Sequence, residues 1–581
     1  MVSVLELGLA ALPLLVVAVL LVGLLWPATR AMPIAWITAL VVGYFAWNMP
    51  PDWLAAASIV GVMTALSILW IVFGALLLLY TLIQAGAFDR INRGFATISD
   101  DRRVQIVLLG FFLATFIEGA AGFGTPAAVV APLLLGLGFP ALAAVIAAII
   151  GHIIAVTYGA VGTPIIIGIQ DPLASTGFQE EISQGGYTVA EYSTEVAAWA
   201  ATYHTLVGFV MPLFAVGMVV YFFGDRNERS LAPAWEVAPL CLFSGIAFAV
   251  PYWLSAWFFT AEFPSLIGSM VGGAIVVSAL KAGYFLPDTR WDFPPREEWP
   301  DHWVGTIEPG ENGATTGQPD EATATDGGIP SGPEMSLLRA WSPYVLLVVL
   351  LVITRAVDPI SAFINRPIFI IEWSGILGTD LANGIAWMNV PGFWLLVSAV
   401  LAIPIFSMSG GQVSAAWREA AEKLVSPFIA LVFVIAMVQV MINSGAHPGA
   451  PAEGSMIVVL AQATANLFGP AYPAVAALIG ALGAAMAGSN TVSNITFGGF
   501  QFEAAQQLGL PTQIIVGAQA VGGAIGNLVA IHNVVAALAT VGLVGQEGRV
   551  MRLNLIPLVY YATFVGFWAM LFSYVLFPNL F

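Results

Sequence analysis

An all-α polytopic membrane protein, with roughly 12 to 15 transmembrane segments, inverted repeats and broken helices, is the fold this sequence predicts. Three observations predict it. Hydrophobic residues make up 59% of the 581 and charged residues only 9%, where soluble domains carry roughly 25% charged. The apolar residues fall into long runs bounded by short polar stretches. The longest runs are interrupted by small-residue breaks at corresponding places in two halves of the chain.

The runs occupy 7–26, 33–47, 58–83, 104–139, 140–169, 196–223, 237–258, 263–280, 341–353, 391–408, 424–442, 472–508, 513–544 and 553–577. Those at 104–139, 140–169, 472–508 and 513–544 are the broken ones. The first run reads as a spanning helix rather than a cleaved leader. It has no basic start, it carries Glu6, and about 20 apolar residues suffice to cross. Basic residues in short loops set the orientation. Arg30, then Arg90, Arg93, Arg102 and Arg103, then Arg226 and Arg229, then Arg418 and Lys423, then Arg549 and Arg552 mark cytoplasmic loops. The loops 48–57, 170–195 and 445–454, which lack basic residues, alternate with them. Both ends are then outside, in a multi-pass protein of the plasma membrane whose flanks meet lipid.

Segment 287–336 holds eleven acids against Arg290 and Arg296 and few apolar residues, which predicts a disordered cytoplasmic loop. The chain divides accordingly into a transmembrane half at 1–285, an acidic loop at 286–339 and a second transmembrane half at 340–581. A net charge of −17 with only two lysines, Lys281 and Lys423, predicts a salt-loving source.

The halves resemble each other. "LIQAGAF" (82–88) ends one helix and "MINSGAH" (441–447) another. Breaks then follow in pairs: "EGAAGFGTP" (118–126) and "YGAVGTP" (158–164) in the first half, "AGSNTVSN" (487–494) and the stretch 522–533, beginning "GGAIGN", in the second. By the loop charges the two units enter the membrane from opposite sides. For one break, close helix packing explains the glycines. Four breaks in two inverted pairs point to a secondary carrier, because non-helical backbone at membrane depth must line a cavity or be buried in protein.

Glu118 is the sharpest single residue, since a carboxylate at membrane depth needs a partner, water or a proton. It is the leading coupling group, with His152 between the breaks of the first half as a second. Substrate contacts are expected from Gly122, Gly124 and Thr125, which precede or open a half-helix whose free N–H groups and positive dipole end suit an anion. Ser489, Asn490, Thr491, Ser493 and Asn494 add hydroxyls and amides at the matching break, and Asn527 and His532 flank the fourth. His204 reads as structural. The coupling ion is a proton or, given the hydroxyl and amide group at 489–494, Na⁺. No other cofactor is expected. The lone Cys241 allows no disulfide framework and no metal cluster is evident. "GAAGFG" lacks the strand–turn–helix setting of a nucleotide loop, and there is no phosphate-binding G-x-x-x-x-G-K-[ST], no G-x-S-x-G, no H-E-x-x-H and no nucleic-acid patch. The chain is therefore not expected to be an enzyme. A passive channel is the remaining alternative, and oligomeric state is left open.

"FIEGAAGFGTPAAVVAPLLLGLGFPALAA" (116–144), "YGAVGTPI" (158–165), "GSNTVSNITFGGFQFEAAQQLG" (488–509) and "AALATVGLVGQEG" (536–548) resemble the signature regions of the L-lactate permease family. The resemblance implies a proton-driven symporter importing lactate, or a related 2-hydroxy monocarboxylate such as glycolate. It also marks departures: an acid often stands in the family where this chain has Asn490, and a lysine where it has Asn527. Without that lysine, the substrate carboxylate is left to helix N-termini, hydroxyls, amides and His532.

Overall fold

The computed structural model describes residues 3–581 apart from 25, 97, 123, 175, 226–228, 308, 310–334, 453 and 544. Twelve described helices are long and apolar enough to cross a membrane, or thirteen with the pair Val189–Gly208 and Met211–Phe223, which bends by 41°. The one sheet among the described residues is a hairpin of two three-residue strands, Ile371–Trp373 and Asn383–Ile385, paired Ile371 to Ile385.

Two helices, Pro51–Gln84 and Gly410–Asn443, run for 34 residues each. At 1.5 Å per residue that is about 50 Å, well beyond a hydrocarbon layer of about 30 Å. The second starts earlier than the expected 424 because Arg418, Glu419, Glu422 and Lys423 sit on an amphipathic extension outside the apolar run. The two helices touch backbone to backbone: a Cβ on Gly61 would come within 2.4 Å of the Ala436 Cα. The motifs at 82–88 and 441–447 close these partner helices. Met456–Phe468, which the apolar runs did not reveal, precedes Tyr472–Ala487 across a single 3-10 turn. Its Gln462, Thr464 and Asn466 dilute the hydrophobic signal.

The acidic loop departs from expectation where it is described. Trp291, Phe293, Trp299 and Trp303 form a chain of ring contacts, with Phe293 on Phe139 and Trp303 on Phe223. Arg102 binds Asp292 at 2.9 Å and donates to the Leu137 carbonyl. Fully buried Arg103 pairs with Asp101 at 2.7 Å and Glu236 at 2.8 Å. The Thr306 N–H donates to the Gly542 carbonyl at 2.9 Å. Residues 288–307 are thus a strap across the far ends of Thr125–Gly136 and Ile531–Thr540. The acid count hid the four aromatic anchors that supply its burial. Within that predicted disordered loop, 308 and 310–334 lie outside the described residues.

Candidate functional site

Each break has its own backbone cause. Ala114–Ala120, which carries Glu118, stops before Gly122 (φ 60°) and Gly124 (φ 76°), and Thr125–Gly136 begins with Pro126 in its first turn. Neither glycine tolerates a side chain: a Cβ on Gly122 would sit 2.9 Å from the Ala160 nitrogen, and one on Gly124 2.7 Å from Asn533 Oδ1. At the second break Ala160, Val161 and Gly162 take left-handed φ values of 43°, 56° and 80° in succession. For the two L-residues that costs about 1–2 kcal/mol each, strain of a kind that concentrates at functional sites. In the second half, Tyr472–Ala487 ends at left-handed Gly488, and Ser489 caps Asn490–Gln507. Thr512–Gly526 passes through the 3-10 turn Asn527–Val529 into Ile531–Thr540.

The four breaks meet around one cavity of about 30 Å³, room for one or two waters. Glu118, Gly122, Gly124, His152, Val156, Gly159 and Pro164 line it from the first half; Gly488, Ser489, Asn490, Thr491, Asn527 and Asn533 line it from the second. No lysine or arginine stands among them, and Glu118 and His152 are the only titratable side chains among the described lining residues. His152 Nδ1 donates to the Ala148 carbonyl at 2.7 Å. In the neutral ring this leaves the lone pair on Nε2, which faces Glu118 Oε2 at 4.0 Å. Glu118 Oε1 lies against Gly159, where a Cβ would come within 2.3 Å.

Asn490 is 3% exposed, and neither end of its amide has a protein partner. It occupies the first turn of an 18-residue helix, whose opening N–H groups have no carbonyl to bond within the helix. An anion at this point meets an amide, free N–H groups and a positive dipole end together.

Eight of the twelve residues expected from the sequence line the cavity. The other four do not. Thr125 Oγ1 donates to the Gly122 carbonyl at 2.6 Å, Ser493 Oγ to the Gly480 carbonyl at 2.7 Å, and Asn494 Nδ2 to the Pro164 carbonyl at 2.9 Å. His532 packs on Gly488 with its Nδ1 buried and unpartnered. Asn533 lines the cavity unforeseen. It lay inside the expected break 522–533, but its titratable neighbour His532 drew the choice. His204 is held at both ring nitrogens, by Thr157 Oγ1 and the Tyr561 hydroxyl, as a structural histidine is.

Twelve described helices long and apolar enough to cross a membrane, with others broken in pairs around one buried polar cavity, define a multi-pass plasma-membrane protein of the transporter class. The family model for L-lactate permease matches residues 7–576, and the chain belongs to that family. The putative L-lactate permease of Haemophilus influenzae is 27% identical over 577 residues, covering 95% of this chain and 96% of the relative. The L-lactate permease of Escherichia coli K12 is 26% identical over 561 residues, covering 93% and 90%. The glycolate permease GlcA of the same strain is 26% identical over 565 residues, also covering 93% and 90%. Among solved structures, the YdaH transporter of Alcanivorax borkumensis is similar at a TM-score of 0.36 and 13% identity, over 86% of this chain and 84% of that one.

Proposed function

We propose that this protein is a secondary symporter that takes up lactate, or a related 2-hydroxy monocarboxylate such as glycolate, together with protons. The names of its relatives supply the substrate class. The observation that carries the coupling is the charge balance of the cavity, which holds one carboxylate and no cationic side chain among the described residues. A substrate anion entering beside an ionised Glu118 would set two like charges together in a poorly solvated space. A proton on Glu118 removes that repulsion, so anion and proton enter together. Since the cavity holds only one or two waters, its walls must part to admit a hydroxy acid. The paired long helices and paired breaks support two inverted halves that alternate access.

Na⁺ coupling is the second reading, motivated by the hydroxyls and amides at 489–494. The side-chain oxygens of two of them, Ser493 and Asn494, already accept from Gln519 Nε2 at 3.1 and 3.5 Å, and the group facing Glu118 is an imidazole nitrogen, a poor ligand for a hard cation. Both features favour the proton. Uptake of labelled lactate into proteoliposomes, with pH and Na⁺ gradients imposed separately, tests the choice. Uphill accumulation driven by the pH gradient alone is expected. Dependence on Na⁺ would replace the proton reading, and equilibration without accumulation would indicate a channel.

A further inference from the structure

Asn527 and Asn533 form an ordered pair whose orientation follows from hydrogen-bond bookkeeping. Asn527 Nδ2 donates to the carbonyls of Gly523 at 3.1 Å and Ala524 at 3.3 Å. Two acceptors fix which end of that amide is the nitrogen. Its Oδ1 is therefore an acceptor, and it receives Asn533 Nδ2 at 2.7 Å. That bond fixes Asn533 in turn. One of its two N–H donors is used there, and its Oδ1 is turned toward the backbone of Gly124 at the cavity wall. The remaining polar features differ in sign. The start of Asn490–Gln507 presents free N–H groups and both ends of the Asn490 amide, so that donors predominate there, whereas Asn533 Oδ1 presents a neutral acceptor with no hydrogen as its partner among the described residues.

Resting on the substrate class proposed above, we infer that Asn533 is a specificity-determining residue: its Oδ1 accepts the hydrogen bond of the substrate's 2-hydroxyl, while the carboxylate occupies the donor side at Asn490. Asn527 is a positioning residue that acts through Asn533. A 2-hydroxy acid satisfies the acceptor. Propionate, which lacks the hydroxyl, leaves it unpaired. Pyruvate presents a second acceptor to it. A site built to bond a hydroxyl rejects such analogues because its own polar group stays unpaired.

The test is counterflow of labelled lactate by the full chain in proteoliposomes, competed by unlabelled lactate, propionate and pyruvate. The unmodified protein should prefer lactate to propionate by roughly 10–100-fold, the worth of one bond to a buried acceptor. Asn533→Leu should weaken lactate by that factor, leave propionate within about twofold, and bring their ratio near one. Retained propionate competition shows that the variant is folded. Asn533→Ala serves if the larger side chain disturbs assembly. Asn527→Leu should lower the same ratio, which a merely structural defect would not do, since that would weaken all three acids alike. Absence of preference in the unmodified protein overturns the inference and leaves the substrate class standing. So does a ratio that survives at Asn533 and collapses in Glu118→Gln, which would give the hydroxyl to Glu118. Absence of counterflow with any of the three acids overturns the substrate class itself.

Discussion

Asn490→Leu separates binding from folding with an unusual sign. Most buried asparagines are held by protein partners, and replacing them leaves those partners unpaired. Here neither end of the amide has a protein partner, so no intramolecular bond is lost, and leucine keeps the branched outline of asparagine beside a cavity that can take its extra bulk. The substrate-free protein should melt at the same temperature or slightly higher. The bond the amide makes to a bound carboxylate is charge-assisted, worth about 1.5–3 kcal/mol, so lactate affinity should fall by roughly 10–150-fold. Ser493→Ala is the opposite control. It removes the bond to the Gly480 carbonyl at 2.7 Å, should destabilise by about 1 kcal/mol, and should leave affinity within about twofold. Thermal unfolding in detergent gives the first quantity of each pair, and binding of labelled lactate gives the second. Were Asn490→Leu to lose 1 kcal/mol or more of stability and keep its affinity, the amide would be structural and the donor side of the cavity would lie elsewhere.

Three further outcomes are expected. Glu118→Gln should abolish accumulation driven by a pH gradient while counterflow persists, and retained accumulation with unchanged pH dependence would remove Glu118 from coupling. Arg103→Met strips Asp101, 4% exposed, of its buried partner and should destabilise by about 3–5 kcal/mol in detergent melts; an unchanged melting temperature would contradict the burial argument. Arg103, with the Thr289 hydroxyl and N–H, holds the Glu236 carboxyl below its usual range. A depressed folded value means that this anchor is intact above the ordinary carboxylate range, near pH 4.3, and is lost as pH falls through the folded value. A bimane on Asp301→Cys in a Cys241→Ala background, quenched by the strap tryptophans at pH 7, should brighten only below the ordinary carboxylate range, and brightening near pH 6 would assign the strap to another group.

What the sequence disclosed and what it did not follow from the ranges of the interactions involved. Glycine and proline act on their own backbone, so the breaks at 118–126, 158–164 and 487–494 could be placed from local residues alone. Glu118 could be singled out because a carboxylate is conspicuous against apolar neighbours. Whether a hydroxyl or amide faces the cavity depends on a carbonyl far off in sequence. Asn494 is bonded by Pro164, 330 positions away, and nothing near Asn494 foretells that. Asn490 and Asn494 stand one helical turn apart and look equivalent in the sequence, yet one is free and the other engaged. Asn533 was passed over for a related reason, because its place at the cavity is set by its bond to Asn527 and by Gly124 in the other half. The strap was misread because composition averages over residues, whereas four aromatic rings at suitable spacing suffice to pack a segment.

The absence of a cationic side chain among the described lining residues bears on how the proposed anion would be held there. A lysine would supply a full charge, but on a flexible stem. Two half-helices begin at this cavity instead, Thr125–Gly136 and Asn490–Gln507, each offering roughly half a positive charge at its N-terminus. Together they amount to about one charge, enough to offset one carboxylate and no more. Glu118 cannot share that compensation with a bound substrate. Because a dipole is fixed in the backbone and carries no proton of its own, it cannot relieve the excess by titrating. On the reading proposed above, the adjustment would fall to the carboxyl that faces the His152 lone pair at 4.0 Å. A site with a lysine could bind the anion while Glu118 stayed ionised, and substrate and proton would then be free to move separately. On the proton-coupled reading proposed above, dipoles alone would bind the two in one step, and the lack of a cation among the described lining residues would make the coupling obligatory.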